Sequence, residues 1–335
     1  MKNKKHSIII FIIILILVFT GTLVLAQRIY SKKTVQEADS SNTEEEKEKW
    51  QEGIVYFNGK PYQYNYAIKT YLFLGIDKEE KVTKAEDGIS GGQSDALFLI
   101  VEDTEQKKID LIAINRNAMT TLDIYDKEGN YLGQEEGQIC LQHGYGDGEK
   151  QSCRRSVDAV SRLFYQLPIQ GYISLNMGAL PKLNDLAGGI EVEVLQSLKD
   201  DTRNVDLKEG EQVTLNGQEA YVYLRSRNID EFDSATMRLE RQKQYIAQYS
   251  KKAKQKFAED ASFGNVFYEA IEDYAVTNVE LAELIDEVSE YTFEDGAIYT
   301  IPGETVMGEK FEEFEVDDEA LYQMIIDIFY KAVEE

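Results

Sequence analysis

Zinc chemistry has little to work with in this chain. Its 335 residues include two cysteines and two histidines, and Cys140, Cys153 and His143 match no recognised zinc spacing. Walker phosphate loops and nucleophile elbows are absent too, so P-loop and serine-hydrolase chemistry lose their usual sequence carriers. Positive charge is scarce: 36 Lys and Arg stand against 61 Asp and Glu, a formal net charge of −25. General nucleic-acid binding rests on a basic surface, so that class is excluded. An anionic ligand would need a local basic pocket. No internal repeat is found, and a single Trp stands against 21 Tyr.

What is present begins with a long uncharged run. From Ile8 to Ala26 no residue is charged, close to the ~20 residues that cross a bilayer as a helix. Lys2, Lys4 and Lys5 precede it and favour an inside N-terminus. A signal peptide cleaved after Ala26 is the alternative, but the run exceeds the roughly 7–15 residues of a signal core. The expected order is a cytoplasmic tail (1–7), a transmembrane anchor (8–26), an acidic stalk (27–53) and an extracytoplasmic domain (54–335). The expected localisation is the cell membrane, single-pass. The tail is too short to fold, so a cytoplasmic signalling or DNA-binding role has no domain to carry it. Outside the cytoplasm a disulfide between Cys140 and Cys153 is permitted; two buried free thiols are the alternative.

With 43% hydrophobic residues the chain can bury a sizeable core. Asn58-Gly59 between two aromatic, β-branched runs signals a hairpin. Tyr71 to Ile76 reads as a buried strand, and "DALFLIVEDTEQKKIDLIAINR" as two more across a polar turn. Helical spacing follows in "SVDAVSRLFYQL", then a strand in "GYISLN", a helix in "MGALPKLNDLAG" and a strand in "IEVEV". "LNGQEAYVYLRSR" suggests a short helix, and "TMRLERQKQYIAQYSKKAKQKF" a long amphipathic one. The last third alternates helices ("VELAELIDEVSEY", "DDEALYQMIIDIFYKAV") with the strand "AIYTIPG". Strands mixed with helices throughout predict one α/β domain.

Two carboxylates sit at strand ends, Asp77 in "FLGID" and Asp95 in "GGQSDALFLI". Gly91 and Gly92 allow close backbone approach beside Asp95. Carboxylates so placed suit a hard cation such as Mg²⁺, although an isolated Asp after a strand more often caps a turn. Arg116 ends the strand "LIAINR", and Arg225 and Arg227 end a helical segment. Arg238 and Gln242, at i and i+4, share a helix face, with Arg241 further round. Guanidinium groups bind phosphate through paired hydrogen bonds. Metal-holding Asp with several Arg is the equipment of phosphoryl transfer. Pairing of the arginines with the many surface acids is the bland alternative.

These motifs in this order resemble the LytR–CpsA–Psr family of cell-envelope phosphotransferases. The resemblance runs from about Tyr71 to Tyr245 and adds "LPIQGYISLNMGALPKLNDLAGGIEVEV" and "RLERQKQYI". It implies a three-layer α/β/α sandwich with an apolar tunnel for lipid. It also implies an enzyme that moves a glycan polymer (teichoic acid or capsule) from a polyprenyl pyrophosphate carrier to peptidoglycan, through a phosphodiester bond. By the same resemblance Asp77 and Asp95 match the acidic residues associated with Mg²⁺. Arg116, Arg225, Arg227, Arg238 and Gln242 match the pyrophosphate-binding set. The arginines would then form one anion pocket on an otherwise acidic protein.

The sequence departs from the family pattern where Gln93 replaces a common Arg, where "NRN" (Asn115 to Asn117) replaces Pro-Arg-Asp, and where "QICL" (Gln138 to Leu141) replaces Lys-Ile-Asn-His. Asn117 is neither a base nor a charged metal ligand. Two other readings stand beside transfer: a pyrophosphatase acting on lipid-linked precursors, and a non-catalytic envelope-binding or regulatory protein.

Overall fold

The computed structural model describes residues 53–228, 230–260, 263–279 and 298–333. The membrane segment, nearly all of the stalk and the helix expected at "VELAELIDEVSEY" (apart from Val279) lie outside these residues. Among the described residues no helix is long and apolar enough to cross a membrane.

Strands β1 (Ile54–Phe57) and β2 (Lys60–Tyr64) form the expected hairpin. Asn58 and Gly59 take φ of 50° and 75°, the left-handed pair that a two-residue turn of this kind requires. Strands β3 (Ile68–Ile76), β4 (Ser94–Asp103) and β5 (Lys108–Ile114) follow as an antiparallel meander. A second hairpin, β6 (Met119–Tyr125) and β7 (Tyr131–Gln138), leads to helix α1 (Lys150–Leu163). Strand β8 (Gly171–Asn176) then returns parallel to β3. Helix α2 (Leu180–Ala187) stops at Gly188, whose φ is 86°, the left-handed ending that glycine favours.

Four short strands, β9 (Ile190–Glu193), β10 (Leu198–Asp200), β11 (Val205–Leu207) and β12 (Gln212–Leu215), pair among themselves. Helix α3 (Gly217–Arg225) starts in a capping box between Asn216 and Glu219, which satisfies otherwise orphaned N–H groups. Helix α4 (Ser234–Glu259) is the long helix expected, followed by α5 (Phe263–Ile271) and strands β13 (Ala275–Thr277) and β14 (Ile298–Thr300). The hairpin β15 (Gly303–Met307) and β16 (Glu312–Val316), helix α6 (Asp318–Phe329) and β17 (Tyr330–Ala332) complete the chain.

The main sheet has the order β13-β8-β3-β4-β5-β14. Strand β3 is apolar at both parities because both faces are covered. Leu72, Leu74 and Ile76 join a core with Val160 of α1 and Leu321 of α6. Tyr71 and Phe73 face the opposite core with Leu183 of α2, Val222 of α3 and Tyr249 of α4. Helices on both faces make three layers. Leu72 and Leu74 are fully buried, so Leu72→Ala costs about 2–5 kcal/mol.

Candidate active site

One edge of the sheet gathers the chemistry. Because β4 runs opposite to β3 and β5, its first residues lie beside their last ones. Asp77 follows β3, Asp95 is the second residue of β4, and Arg116 lies two residues past β5. The loop before β4 must pass close to its neighbours. A Cβ on Gly91 would sit 2.3 Å from the His143 carbonyl oxygen, and one on Gly92 3.2 Å from Asp77 Oδ1.

Asp95 is the centre. Its Oδ2 accepts from Arg238 Nη1 at 2.7 Å, and Arg116 Nε lies 3.0 Å from its Oδ1 as an ion pair not aligned for a hydrogen bond. Arg238 is only 4% exposed. Burial depresses its pKa, opposed mainly by the charge of Asp95. Arg238 Nη2 is buried with no hydrogen-bond partner among the described residues, a donor suited to an oxyanion. Arg116 Nη2 donates to Gln93 Oε1 and, at 2.8 Å, to Cys140 Sγ. Gln242 Nε2 donates to the Asp95 carbonyl oxygen at 3.4 Å.

The last three carbonyl groups of α3, and that of Ser226 just after it, are taken by side chains of α4. Arg241 Nη1 donates to Tyr223 O at 2.7 Å and its Nη2 to Ser226 O. Gln242 donates to Leu224 O at 3.2 Å and Arg238 to Arg225 O at 3.3 Å. Helix ends leave such carbonyls without intrahelical partners, and here α4 fixes the segment that carries Arg225 and Arg227. Arg241 is fully buried and its pKa is lowered by burial to about 10. Sequence reasoning noted Arg241 but missed this role; only its burial, invisible in helical spacing, signals it. Arg225 is exposed at the rim, 5.8 Å from the Tyr221 ring, and Arg227 is half-buried. Arg227 is near enough for its charge to disfavour that of Arg238.

Tyr221, Glu79 and Arg203 were also missed. The Tyr221 hydroxyl donates to Glu79 Oε1 at 2.7 Å, and Arg203 Nη2 reaches both Glu79 oxygens at 2.9 and 3.0 Å. They brace the outer wall beside Arg225.

Next to Gln242 lies an apolar cavity with about 660 Å³ of empty space including its mouth. Phe73, Phe98, Leu175, Leu183 and Tyr249 are among its lining, and Gln242 lines it too. Gln242 thus touches both the cavity and the Asp95 backbone.

Asp77 Oδ1 accepts from the Gln93 N–H at 2.7 Å, while its own N–H donates to Gln93 O at 3.0 Å. Burial raises the Asp77 pKa, the Gln93 N–H opposes this, and the charge of Asp95 adds to it. A cation would relieve that repulsion. Among the described residues no cluster of three or more His, Cys, Asp or Glu could hold a metal. Mg²⁺ usually takes one or two carboxylates beside phosphate oxygens. With only Asp77 and Asp95 at this edge, and both Asp95 oxygens already paired with arginines, such a metal would depend on phosphate oxygens for its remaining ligands.

The expected disulfide is not formed: Cys140 and Cys153 are both free and buried. Cys140 faces Arg116, whereas Cys153 Sγ lies 3.8 Å from His143 Nε2 in the other core. Burial pushes the Cys153 thiol up to about 12 and His143 down to about 4. Of the departing positions, Asn117 is buried and its carbonyl oxygen accepts from the Phe314 N–H at 2.9 Å. Gln138 Nε2 donates to Glu312 O at 2.7 Å. Both tie the β15–β16 hairpin to the site's edge.

Arg116 and Arg238 thus converge on Asp95 next to an apolar cavity, and Gln242 links the two. The profile of the LytR_cpsA_psr family matches residues 26–326, and the chain belongs to that family. It is 27% identical over 206 residues to TagV of Bacillus subtilis, named a polyisoprenyl-teichoic acid–peptidoglycan teichoic acid transferase, covering 59% of this chain and 46% of that protein. TagU of Bacillus licheniformis, with the same activity in its name, is 26% identical over 293 residues, 87% of this chain and 84% of its own. The chain thus spans about half the length of TagV and most of TagU. Among solved structures, a Streptococcus agalactiae protein superimposes with a TM-score of 0.61 at 19% identity, covering 80% of this chain and 91% of that one. The B. subtilis TagV structure gives 0.55 at 24% identity, covering 78% and 96%. These structural likenesses show the shared fold.

Proposed function

We propose that the protein transfers a glycan polymer from a polyprenyl pyrophosphate carrier to peptidoglycan through a phosphodiester bond. The observation that carries this is the junction at Gln242, where the arginine pocket and the apolar cavity meet. The polyprenyl chain would occupy the cavity and the pyrophosphate would lie against Arg116 and Arg238, with Arg225 and Arg227 at the rim. The names of TagU and TagV support the same substrate class.

In the reaction an acceptor hydroxyl oxygen bonds to the phosphorus attached to the polymer. The bond from that phosphorus to the bridging oxygen breaks, and polyprenyl phosphate leaves with its electron pair. Negative charge grows on the bridging and leaving oxygens, and fixed guanidinium donors stabilise it without reorganising. Asp77 is the better placed base: its Oδ1 accepts from the Gln93 N–H and, among the described residues, neither of its oxygens is paired with an arginine, so it can accept the acceptor hydroxyl's proton. Both oxygens of Asp95 are already engaged by arginines. Mg²⁺, when held by Asp77 and Asp95, would supply further neutralisation of phosphate charge. The run from Ile8 to Ala26 would anchor the chain in the membrane that holds the carrier.

The test is incubation of the full chain, in detergent, with lipid-linked glycopolymer and peptidoglycan, with and without Mg²⁺. Covalent polymer on the peptidoglycan is expected. Polymer phosphate released only to water would identify a pyrophosphatase, and no lipid turnover would leave a binding protein.

A further inference from the structure

Arg116 is held by more than its ion pair. Its Nη2 donates to two neutral acceptors, Gln93 Oε1 and Cys140 Sγ. Nη1 has no partner among the described residues. Both acceptors are themselves fixed. The Gln93 N–H donates to Asp77 Oδ1 at 2.7 Å, and its carbonyl oxygen accepts from the Asp77 N–H at 3.0 Å. The Cys140 N–H donates to the Arg116 carbonyl oxygen at 3.2 Å, and the Cys140 carbonyl oxygen accepts from Ser94 Oγ at 3.3 Å. The thiol is fully buried.

We propose that Gln93 and Cys140 are positioning residues that clamp one edge of the Arg116 guanidinium, leaving Nη1 for a phosphoryl oxygen. The clamp's chemistry suits the task. A carboxylate on Nη2 would orient Arg116 but also cancel its charge. An amide oxygen and a thiol sulfur orient it without adding a second negative charge to that of Asp95, which Arg116 already shares with Arg238. Fixing the side chain beforehand also spares the ligand the cost of ordering it. Gln93 further links the base to the clamp, because its backbone holds Asp77 while its side chain holds Arg116. The inference rests on reading this site as a pyrophosphate pocket.

The probe is farnesyl pyrophosphate, titrated calorimetrically into the full chain in detergent. Cys140→Ala and Gln93→Met should each weaken binding by roughly tenfold, since hydrogen bonds to charged groups are among the stronger ones. Cys140→Ser restores an acceptor and should bind within about threefold of the parent. In an Arg116→Ala background, Cys140→Ala and Gln93→Met should add nothing, because the group they position is gone. Gln93 is only partly buried, so its variant keeps the test open should Cys140→Ala fold poorly. Wild-type affinity in both variants, equal loss in Cys140→Ser and Cys140→Ala, or full additivity on Arg116→Ala would each overturn the clamp. If Arg116→Ala itself binds like the parent, the pocket reading fails instead.

Discussion

Replacing Asp95 by Asn removes the one charge that two buried arginines share. Arg238 and Asp95 have side chains only 4% and 11% exposed, and their atoms lie 2.7 Å apart. Arg116, 3.0 Å from the other oxygen, is 11% exposed. Breaking a buried pair by removing one partner costs about 3–5 kcal/mol, because the remaining charge stays desolvated. Asn retains one acceptor oxygen, so the lower figure, about 3 kcal/mol, is expected. For a domain of this size that lowers Tm by on the order of 10 °C. An anion should reverse the loss. Pyrophosphate bound between the arginines stabilises the folded state by mass action, and the variant has more uncompensated charge to offer it. Thermal unfolding of parent and Asp95→Asn, with and without millimolar pyrophosphate, reads both effects. A variant as stable as the parent, or one whose Tm ignores pyrophosphate, refutes the shared-carboxylate arrangement.

Other expectations follow from the same site. Arg225→Ala and Arg227→Ala should each lower turnover at least roughly tenfold with unchanged unfolding curves, because both lie at the rim; parental turnover in both would remove them from the site. Asp77→Asn should stabilise the fold at neutral pH. The raised folded pKa of Asp77 means that its ionised form is disfavoured on folding, a cost absent below the unfolded pKa and complete above the folded one. The gain should thus shrink to nothing as pH falls below the ordinary carboxylate range, and a gain independent of pH would contradict the assignment. A thiol titration of native protein should find Cys140 and Cys153 unreactive, and the denatured protein should show two thiols without any reductant.

The hairpin at Asn58-Gly59, the strands flanking Asp77, Asp95 and Arg116, and the long helix carrying Arg238 and Gln242 were all legible, since turn chemistry and periodicity specify them locally. The strand β7, "YLGQEEGQ", was not, because its polar residues show no alternation and it is held by pairing with β6. On a helical wheel Arg238, Arg241 and Gln242 fall on one side of α4, with Arg241 further round. Only the packing of α3 against α4 sends Arg241 to backbone carbonyls and Arg238 to Asp95. The cysteines mark a different limit. The compartment permits a bridge, but the turn after β7 and helix α1 deliver the two thiols to different neighbours, Arg116 and His143. Glu79, Arg203 and Tyr221 are scattered along the chain and meet only in the folded protein.

The central claim is that the arginine pocket and the apolar cavity form one site for a lipid pyrophosphate. Calorimetric affinities for inorganic pyrophosphate and farnesyl pyrophosphate test it most directly. Burial is worth about 0.8 kcal/mol per CH₂, so even partial entry of the chain into the cavity should make farnesyl pyrophosphate at least roughly a hundredfold tighter. Ala96 also lines the cavity, and filling it with Ala96→Phe should erase that advantage while leaving inorganic pyrophosphate bound as before. Equal affinity of the parent protein for the two ligands would contradict the account.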